Sequence, residues 1–200
     1  MLVTLSGIDG SGKSSTVRKV VRALNARGLV AVSKRPRYAT NSIVKRYCQR
    51  VHADRYAYYP QFDATFYVSC LLADWLDLLE SENGTFDGRI VVTDRYVHDV
   101  LAQAITYGAH LDSIVSVCRL FPPASVSLFL DIPPLECHRR LVARRHPPIH
   151  RLESLPELER LRDAYTTVMT LLSWSPTIAG NTTAENLADV IALVSAGAAK

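Results

Sequence analysis

Gly7-Ile8-Asp9-Gly10-Ser11-Gly12-Lys13-Ser14 decides the reading of this 200-residue chain. The stretch fits the phosphate-cradling pattern G-x-x-x-x-G-K-[ST] in full, in the strand–loop–helix context that the pattern needs. Before it, Leu2–Ser6 is a short apolar run that reads as a buried strand. After it, residues 13–26 put Val17, Val20, Val21 and Leu24 on one helical face, with Gly28 as a stop. Glycines let such a backbone curl until successive N–H groups point at phosphate oxygens. The helix start adds its positive dipole end, the Lys13 ammonium suits β- and γ-phosphates, and the Ser14 hydroxyl is a ligand for Mg²⁺. Four fixed positions arise by chance in about 1% of chains of this length at average residue usage, so an incidental glycine-rich turn is set aside. ATP or GTP binding is the expectation, through Gly7, Asp9, Gly10, Ser11, Gly12, Lys13, Ser14 and Ser15.

Outward from the loop, strands and helices alternate. Residues 29–33, 89–93, 125–131 and, weakly, 177–179 read as further strands. Residues 41–50, 63–79, 98–105, 113–120, 135–145, 155–173 and 185–194 read as helices. Within 63–79, Phe66, Cys70, Ala73 and Asp77 recur at helical spacing; within 155–173, Leu158, Leu161, Tyr165, Val168 and Leu172 do. Alternation of this kind predicts an α/β fold of the P-loop NTPase type. Its expected form is three layers, α/β/α, around a five-stranded parallel sheet, in one domain over residues 1–200.

Composition narrows the function. The chain is 48% hydrophobic and 21% charged with a net charge of +4, as expected of a soluble globular protein rather than a disordered or fibrous one. No apolar run approaches the roughly 20 residues of a membrane helix, and the first residues lack the basic start of a signal peptide. Four cysteines (Cys48, Cys70, Cys118, Cys137) are scattered without metal or redox spacing, which predicts buried, reduced thiols and a cytoplasmic chain. Basic residues gather in 34–50 and 139–151. That distribution suits a small anionic substrate better than a DNA-coating surface, and no nucleic-acid reading module accompanies it. No Asn-Lys-x-Asp motif points to a GTPase, and motor ATPases need longer chains. Phosphoryl transfer to a small acceptor remains.

Asp94, at the end of the 89–93 strand, is placed to hold Mg²⁺ directly or through water. Arg95 beside it presents a planar fork to the transferred phosphoryl group or the acceptor phosphate; the alternative is a strand-end ion pair that only stabilises a turn. Arg140 and Arg144 share a helix face, and Arg151 lies beyond Pro147-Pro148, so this arginine cluster is expected to supply positive charge to the transferred group. A merely solvated basic helix is the competing reading. His98, His110 and His138 show no ligand spacing.

These residues carry a resemblance. Gly-Ile-Asp-Gly-Ser-Gly-Lys-Ser-Ser at 7–15 resembles the thymidylate kinase family, and further matches follow in that family's order along nearly the whole chain. Asp94-Arg95-Tyr96 is similar to its Asp-Arg-Tyr signature. Leu130-Asp131-Ile132-Pro133-Pro134 with Arg139-Arg140 is similar to the strand leading into its lid, and His150-Arg151-Leu152-Glu153 to the stretch that closes the lid. Ile178-Ala179-Gly180-Asn181 resembles the loop that cradles adenine, which puts Asn181 with the nucleotide.

The resemblance implies ATP and Mg²⁺, a nucleotide-like acceptor and a homodimer. It implies that Asp9 contacts the acceptor sugar, unless Asp9 only tunes the loop, and that Lys34, with Arg35 and Arg37 in reserve, grips the acceptor phosphate. The resemblance implies a short arginine-rich lid over about 144–153, and Ser11 stands where some members carry an arginine, which implies a donor from the lid side: Arg140, Arg144 or Arg151. Three departures bear on the acceptor. Ser6-Gly7 replaces Glu-Gly at the loop entrance. Leu71 and Trp75, with Asp74, replace the aromatic and arginine of the acceptor helix. Asp99 and Gln103 only loosely keep the pattern after Asp-Arg-Tyr96. A carboxylate at position 74 would invert the hydrogen-bond demand on a base. The expected activity is therefore ATP-dependent phosphorylation of dTMP or a modified pyrimidine nucleotide. An unusual nucleotide or non-nucleotide acceptor, or a non-catalytic ATP sensor, are the alternatives.

Overall fold

The computed structural model describes residues 1–58, 62–82, 86–144, 150–179 and 184–198. The chain runs β1 (Leu2–Ser6), α1 (Lys13–Asn25), β2 (Ala31–Lys34), α2 (Ala39–His52) and α3 (Ala64–Ser81). It continues through β3 (Ile90–Asp94), α4 (Val97–Tyr107), α5 (Leu111–Cys118), β4 (Val126–Leu130) and α6 (Pro134–Arg144), and closes with α7 (Leu155–Leu171), β5 (Thr177–Ala179) and α8 (Ala184–Ala198). Every strand pairing is parallel, in the order β2-β3-β1-β4-β5. Four strands of four or five residues form the body of the sheet, and the three-residue β5 extends its edge.

Side-chain alternation divides the sheet into two faces. Val3, Leu5, Ile90, Val92, Val126 and Leu128 pack with Val17, Val20 and Leu24 of α1 and with Val190, Ile191 and Val194 of α8. Leu2, Val91 and Phe129 face a larger core built from α2, α3, α4, α5, α6 and α7. Helices therefore cover both faces, as the near-continuous apolar strands require. All four cysteines are free and buried. Among the described residues no helix is long and apolar enough to cross a membrane.

The buried face of α3 differs from the sequence expectation. Tyr67, Cys70, Leu71, Asp74, Trp75 and Leu78 point inward, while Phe66 is half exposed and Ala73 and Asp77 are exposed. The wider stripe of large side chains won the core, so the inward phase is rotated from the one expected.

β1 lies between β3 and β4, and the chain leaves β1 toward β2 but leaves β3 toward β4. Such a reversal opens a crevice at the carboxyl ends of the strands, the usual ligand position in an open parallel sheet. Register puts Leu5 opposite Asp94 there, so the loop after β1 and the residues after β3 face each other across it.

Candidate active site

The loop between β1 and α1 is held by backbone conformations that glycine permits. Gly10 has φ +83°, and a Cβ there would meet the carbonyl oxygen of Cys137 on α6 at 2.4 Å. Gly12 has φ +96° and caps α1, yet a Cβ there would meet nothing within 4 Å; its requirement is conformational. The loop fits a polyphosphate on a second observation. Ser11 Oγ is buried in the loop without a hydrogen-bond partner among the described residues, which leaves a donor for an oxygen ligand. Lys13 Nζ, also buried, donates to the Ile8 carbonyl at 2.8 Å and stands 4.0 Å from Asp9 Oδ1. Burial and then the Arg95 charge lower its pKa, against the pull of Asp9, Asp94 and Asp99, so an incoming polyanion would reinforce its charged form.

Ser14 Oγ donates to Asp94 Oδ2, so a hydroxyl and a carboxylate meet at the end of β3. Two hard oxygens fit Mg²⁺, which takes few protein ligands and completes its shell with water and phosphates. Among the described residues no group of three or more His, Cys, Asp or Glu side chains gathers to hold a metal unaided. Arg95 adopts φ +82°, uncommon for a non-glycine residue. Its N–H donates to Leu5 O at 2.9 Å, Nη2 donates to Asp9 Oδ1, and Nη1 donates to Asp99 Oδ1 at 3.3 Å. Burial would raise the Asp9 carboxyl, but Arg95 and Lys13 outweigh it and hold it at about 2. Burial alone would weaken the Arg95 charge; Asp9 and Asp99 reverse that and raise its pKa.

Two cavities open on this centre. One, of about 450 Å³, is lined by Gly10, Gly12, Lys13, Ser14 and Ser15, and on its far wall by Arg140 and Arg144. The other, of about 370 Å³, runs between α2, α3, α4 and the lid end, past Arg35, Leu71, Gln103, His150 and Leu152. Asp9, Asp94 and Arg95 line both. Arg140 is anchored to Glu136 at 3.0 Å and Arg144 to the buried Glu153 at 3.1 Å. Glu153 also lies 3.6 Å from His150, whose ring stacks on Tyr56 at 3.9 Å.

Several residues expected at the acceptor lie elsewhere. Lys34 pairs with the buried Glu82 at 2.5 Å, and Arg35 takes the cleft position instead. Asp74 does not face a ligand. It is 3% exposed and accepts the N–H groups of Thr40 at 2.8 Å and Asn41 at 3.1 Å, which caps α2. Trp75 is 1% exposed and packs edge-on against Tyr96 at 5.1 Å, so no base can stack on it. Tyr96 itself is core, its hydroxyl donating to Pro122 O at 2.8 Å. Asp99 is 1% exposed beneath the loop and does not line the acceptor cavity. Of the departures expected to bear on the acceptor, Ser6, Asp74, Trp75 and Asp99 are buried away from the acceptor cavity, whereas Leu71 and Gln103 line it. Asn181 and half of the expected lid (145–149) lie outside the described residues, as does the side chain of Arg151.

Sequence reasoning missed the aromatic wall of the acceptor cavity. Tyr38, Tyr58, Tyr67 and Tyr107 line it, with Tyr58 and Tyr67 stacked at 4.3 Å and Asn41 Nδ2 donating to Tyr67 OH at 2.9 Å. The one available signal was Tyr67 and Leu71 at i, i+4. Arg18, on the donor side, also went unremarked.

The profile of the family described as Thymidylate kinase matches residues 5–191. A "Probable thymidylate kinase" of Pyrobaculum calidifontis is 26% identical over 196 residues, covering 97% of this chain and 95% of its own. A "Thymidylate kinase" of Xanthomonas oryzae pv. oryzae is 31% identical over 169 residues, 82% of this chain and 70% of its own. One of Xylella fastidiosa is 30% identical over 168 residues, 82% and 76%. The phosphate loop, the Asp94-Arg95 pair facing it and a match that spans nearly the whole sequence place this chain in the thymidylate kinase family.

Proposed function

We propose that the chain transfers the γ-phosphoryl group of ATP to the 5′-phosphate of dTMP, giving ADP and dTDP. The observation that carries this reading is the junction of the two cavities. Asp9, Asp94 and Arg95 line both the space in front of the phosphate loop and the tyrosine-walled space beside α2 and α3. A donor in one and an acceptor in the other would bring their phosphates together at that junction.

In this reading an acceptor phosphate oxygen attacks the γ-phosphorus as its bond to the ADP oxygen breaks, and the protein contributes positioning and charge. The loop amides and Lys13 hold the β- and γ-phosphates. Mg²⁺, held by Ser14 and Asp94, would neutralise charge on those phosphates. Arg95 and Arg35 address the acceptor phosphate, and Asp9, released as Arg95 turns to that phosphate, addresses the acceptor sugar. Leu71, Gln103 and the tyrosine wall receive the base. Arg140 and Arg144 face the loop from α6 and supply charge as the equatorial oxygens spread theirs.

The whole of residues 1–200 acts as one kinase unit, with 144–153 as its lid. The reading is cytoplasmic, where buried free thiols stay reduced. A homodimer fits the half-exposed Ile43, Tyr47 and Val51, spaced four apart on α2, and the half-exposed Phe66 on α3. Steady-state ADP release measured across dTMP, dUMP, dCMP, UMP and CMP tests the activity. The reading expects the highest kcat/KM with dTMP; binding of Mg·ATP without ADP release for any acceptor would leave a sensor.

A further inference from the structure

Arg95 is held by two carboxylates of opposite character. Asp9 meets Nη2 from a side chain that is 41% exposed, at the junction of the two cavities. Asp99 meets Nη1 from a side chain that is 1% exposed, under the floor of the site.

The Asp99 carboxylate has no spare capacity. Its Oδ2 accepts from Ser6 Oγ at 2.7 Å and from the Tyr96 N–H at 3.0 Å. Its Oδ1 accepts from Tyr165 OH at 2.7 Å, from Arg95 Nη1 at 3.3 Å and from the Gly7 N–H at 3.4 Å. Five donors fill the roughly four lone-pair directions of a carboxylate. These donors come from β1, the phosphate loop, α7 and both sides of the β3–α4 junction, so moving Asp99 would break bonds in every direction. Asp9 has other neighbours in the cleft and water to turn to.

We propose that Asp99 is the positioning residue of the transfer centre: it fixes Arg95 through Nη1, so that Nη2 alone passes from Asp9 to the acceptor phosphate. Its reach to the phosphate loop is weaker and shared: the Gly7 N–H lies 3.4 Å from Asp99 Oδ1 and 3.3 Å from the hydroxyl of Tyr165, on the helix that follows the lid. The Tyr165 hydroxyl has one proton, and the 2.7 Å contact with Asp99 is the better place for it than the 3.1 Å contact with Gly7 O. Burial and the Asp99 charge raise the Tyr165 pKa, which keeps that proton in place.

The proposal rests on the phosphotransfer reading and is tested apart from it. Wild-type turnover of dTMP, measured first, tests that reading by itself. The variants Asp99→Asn, Arg95→Met and the double variant are then compared for kcat/KM of dTMP at saturating Mg·ATP, with Mg·ATP affinity measured by titration. Asp99→Asn keeps shape and removes charge. Weakening a charge-assisted bond to Arg95 is expected to lower kcat/KM about 10- to 150-fold, with Mg·ATP affinity changed less than about threefold. In the Arg95→Met background the same change should add less than about threefold, because Asp99 then has no guanidinium to position. Equal losses in both backgrounds would mean that Asp99 merely supports the fold and would overturn the proposal, as would wild-type kinetics in Asp99→Asn. If Asp99→Asn does not fold, Tyr165→Phe, which removes one donor to the same oxygen, takes its place in the cycle. Its smaller loss should likewise vanish without Arg95, and persistence of that loss overturns the proposal.

Discussion

Replacing Asp74 with alanine separates helix capping from base recognition. In the structure the carboxylate is 3% exposed and accepts the Thr40 and Asn41 N–H groups at 2.8 and 3.1 Å. The residue at the start of α2, Tyr38, sits at φ 53° and offers no side-chain cap of its own. Loss of a capping side chain costs about 0.5–2 kcal/mol. A carboxylate at a partly buried helix N-terminus adds up to about 2 kcal/mol through the helix dipole. Asp74→Ala should therefore destabilise the protein by about 1–4 kcal/mol, and at about 2–4 °C per kcal/mol for a chain of this size Tm should fall by about 2–16 °C. Asn41, in the first turn of α2, lines the acceptor cavity, so kcat/KM should fall for every nucleotide together. Thermal unfolding gives the first quantity. Rates with dTMP, dUMP and dCMP, taken below the transition, give the second. A change of more than about tenfold in the dTMP-to-dCMP ratio, with Tm unmoved, would refute the capping argument and return Asp74 to the ligand.

Three other outcomes are expected. Gly10→Ala adds a Cβ at 2.4 Å from the Cys137 carbonyl at φ +83°; left-handed strain of about 1–2 kcal/mol plus overpacking of about 1–3 kcal/mol should lower Tm more than Gly12→Ala, which meets no neighbour, and equal shifts in calorimetry would contradict this. His98 stacks on Trp174 at 4.2 Å and burial pushes its pKa down to about 4 from an ordinary 6.5, so the unfolded chain binds a proton that the folded one refuses between those values. Stability should be unaffected above pH 6.5 and fall by about 3 kcal/mol as pH drops toward 4, and denaturant titrations of His98→Gln should show a shallower decline; an identical slope would remove His98 as the cause. Arg140→Ala and Arg144→Ala should each lower kcat by about 10- to 1000-fold through lost transition-state charge, and steady-state kinetics showing changes confined to KM would assign them to ground-state binding.

The parts of the molecule that were legible in the sequence are those encoded locally. β1, the glycine loop and α1 announce themselves through spacing and backbone conformation within 25 residues, and β3 ends at Asp94 as its apolar run implies. What sequence did not reveal depends on partners distant along the chain. The cap of α2 comes from Asp74, more than 30 residues away, so no capping signal exists near Tyr38. Asp74 and Trp75 are expected at the acceptor only through the resemblance to the family's acceptor helix, and the helical spacing of Phe66, Cys70, Ala73 and Asp77 gives no correction, since three of those four are exposed. An 18-residue helix with large side chains on several faces does not declare its buried one. Asp99 and Tyr165 meet Gly7 across separations of 92 and 158 residues. Neither contact has a local pattern. The same holds for Lys34, which only the fold brings to Glu82.

The most direct test of the central claim follows the phosphoryl group itself. ATP labelled in its γ-phosphate is incubated with Mg²⁺, dTMP and the protein, and the labelled products are separated. The account expects the label in the β-phosphate of dTDP, in step with ADP formation and dependent on Lys13. Label that stays in ATP, or leaves only as inorganic phosphate, would contradict it.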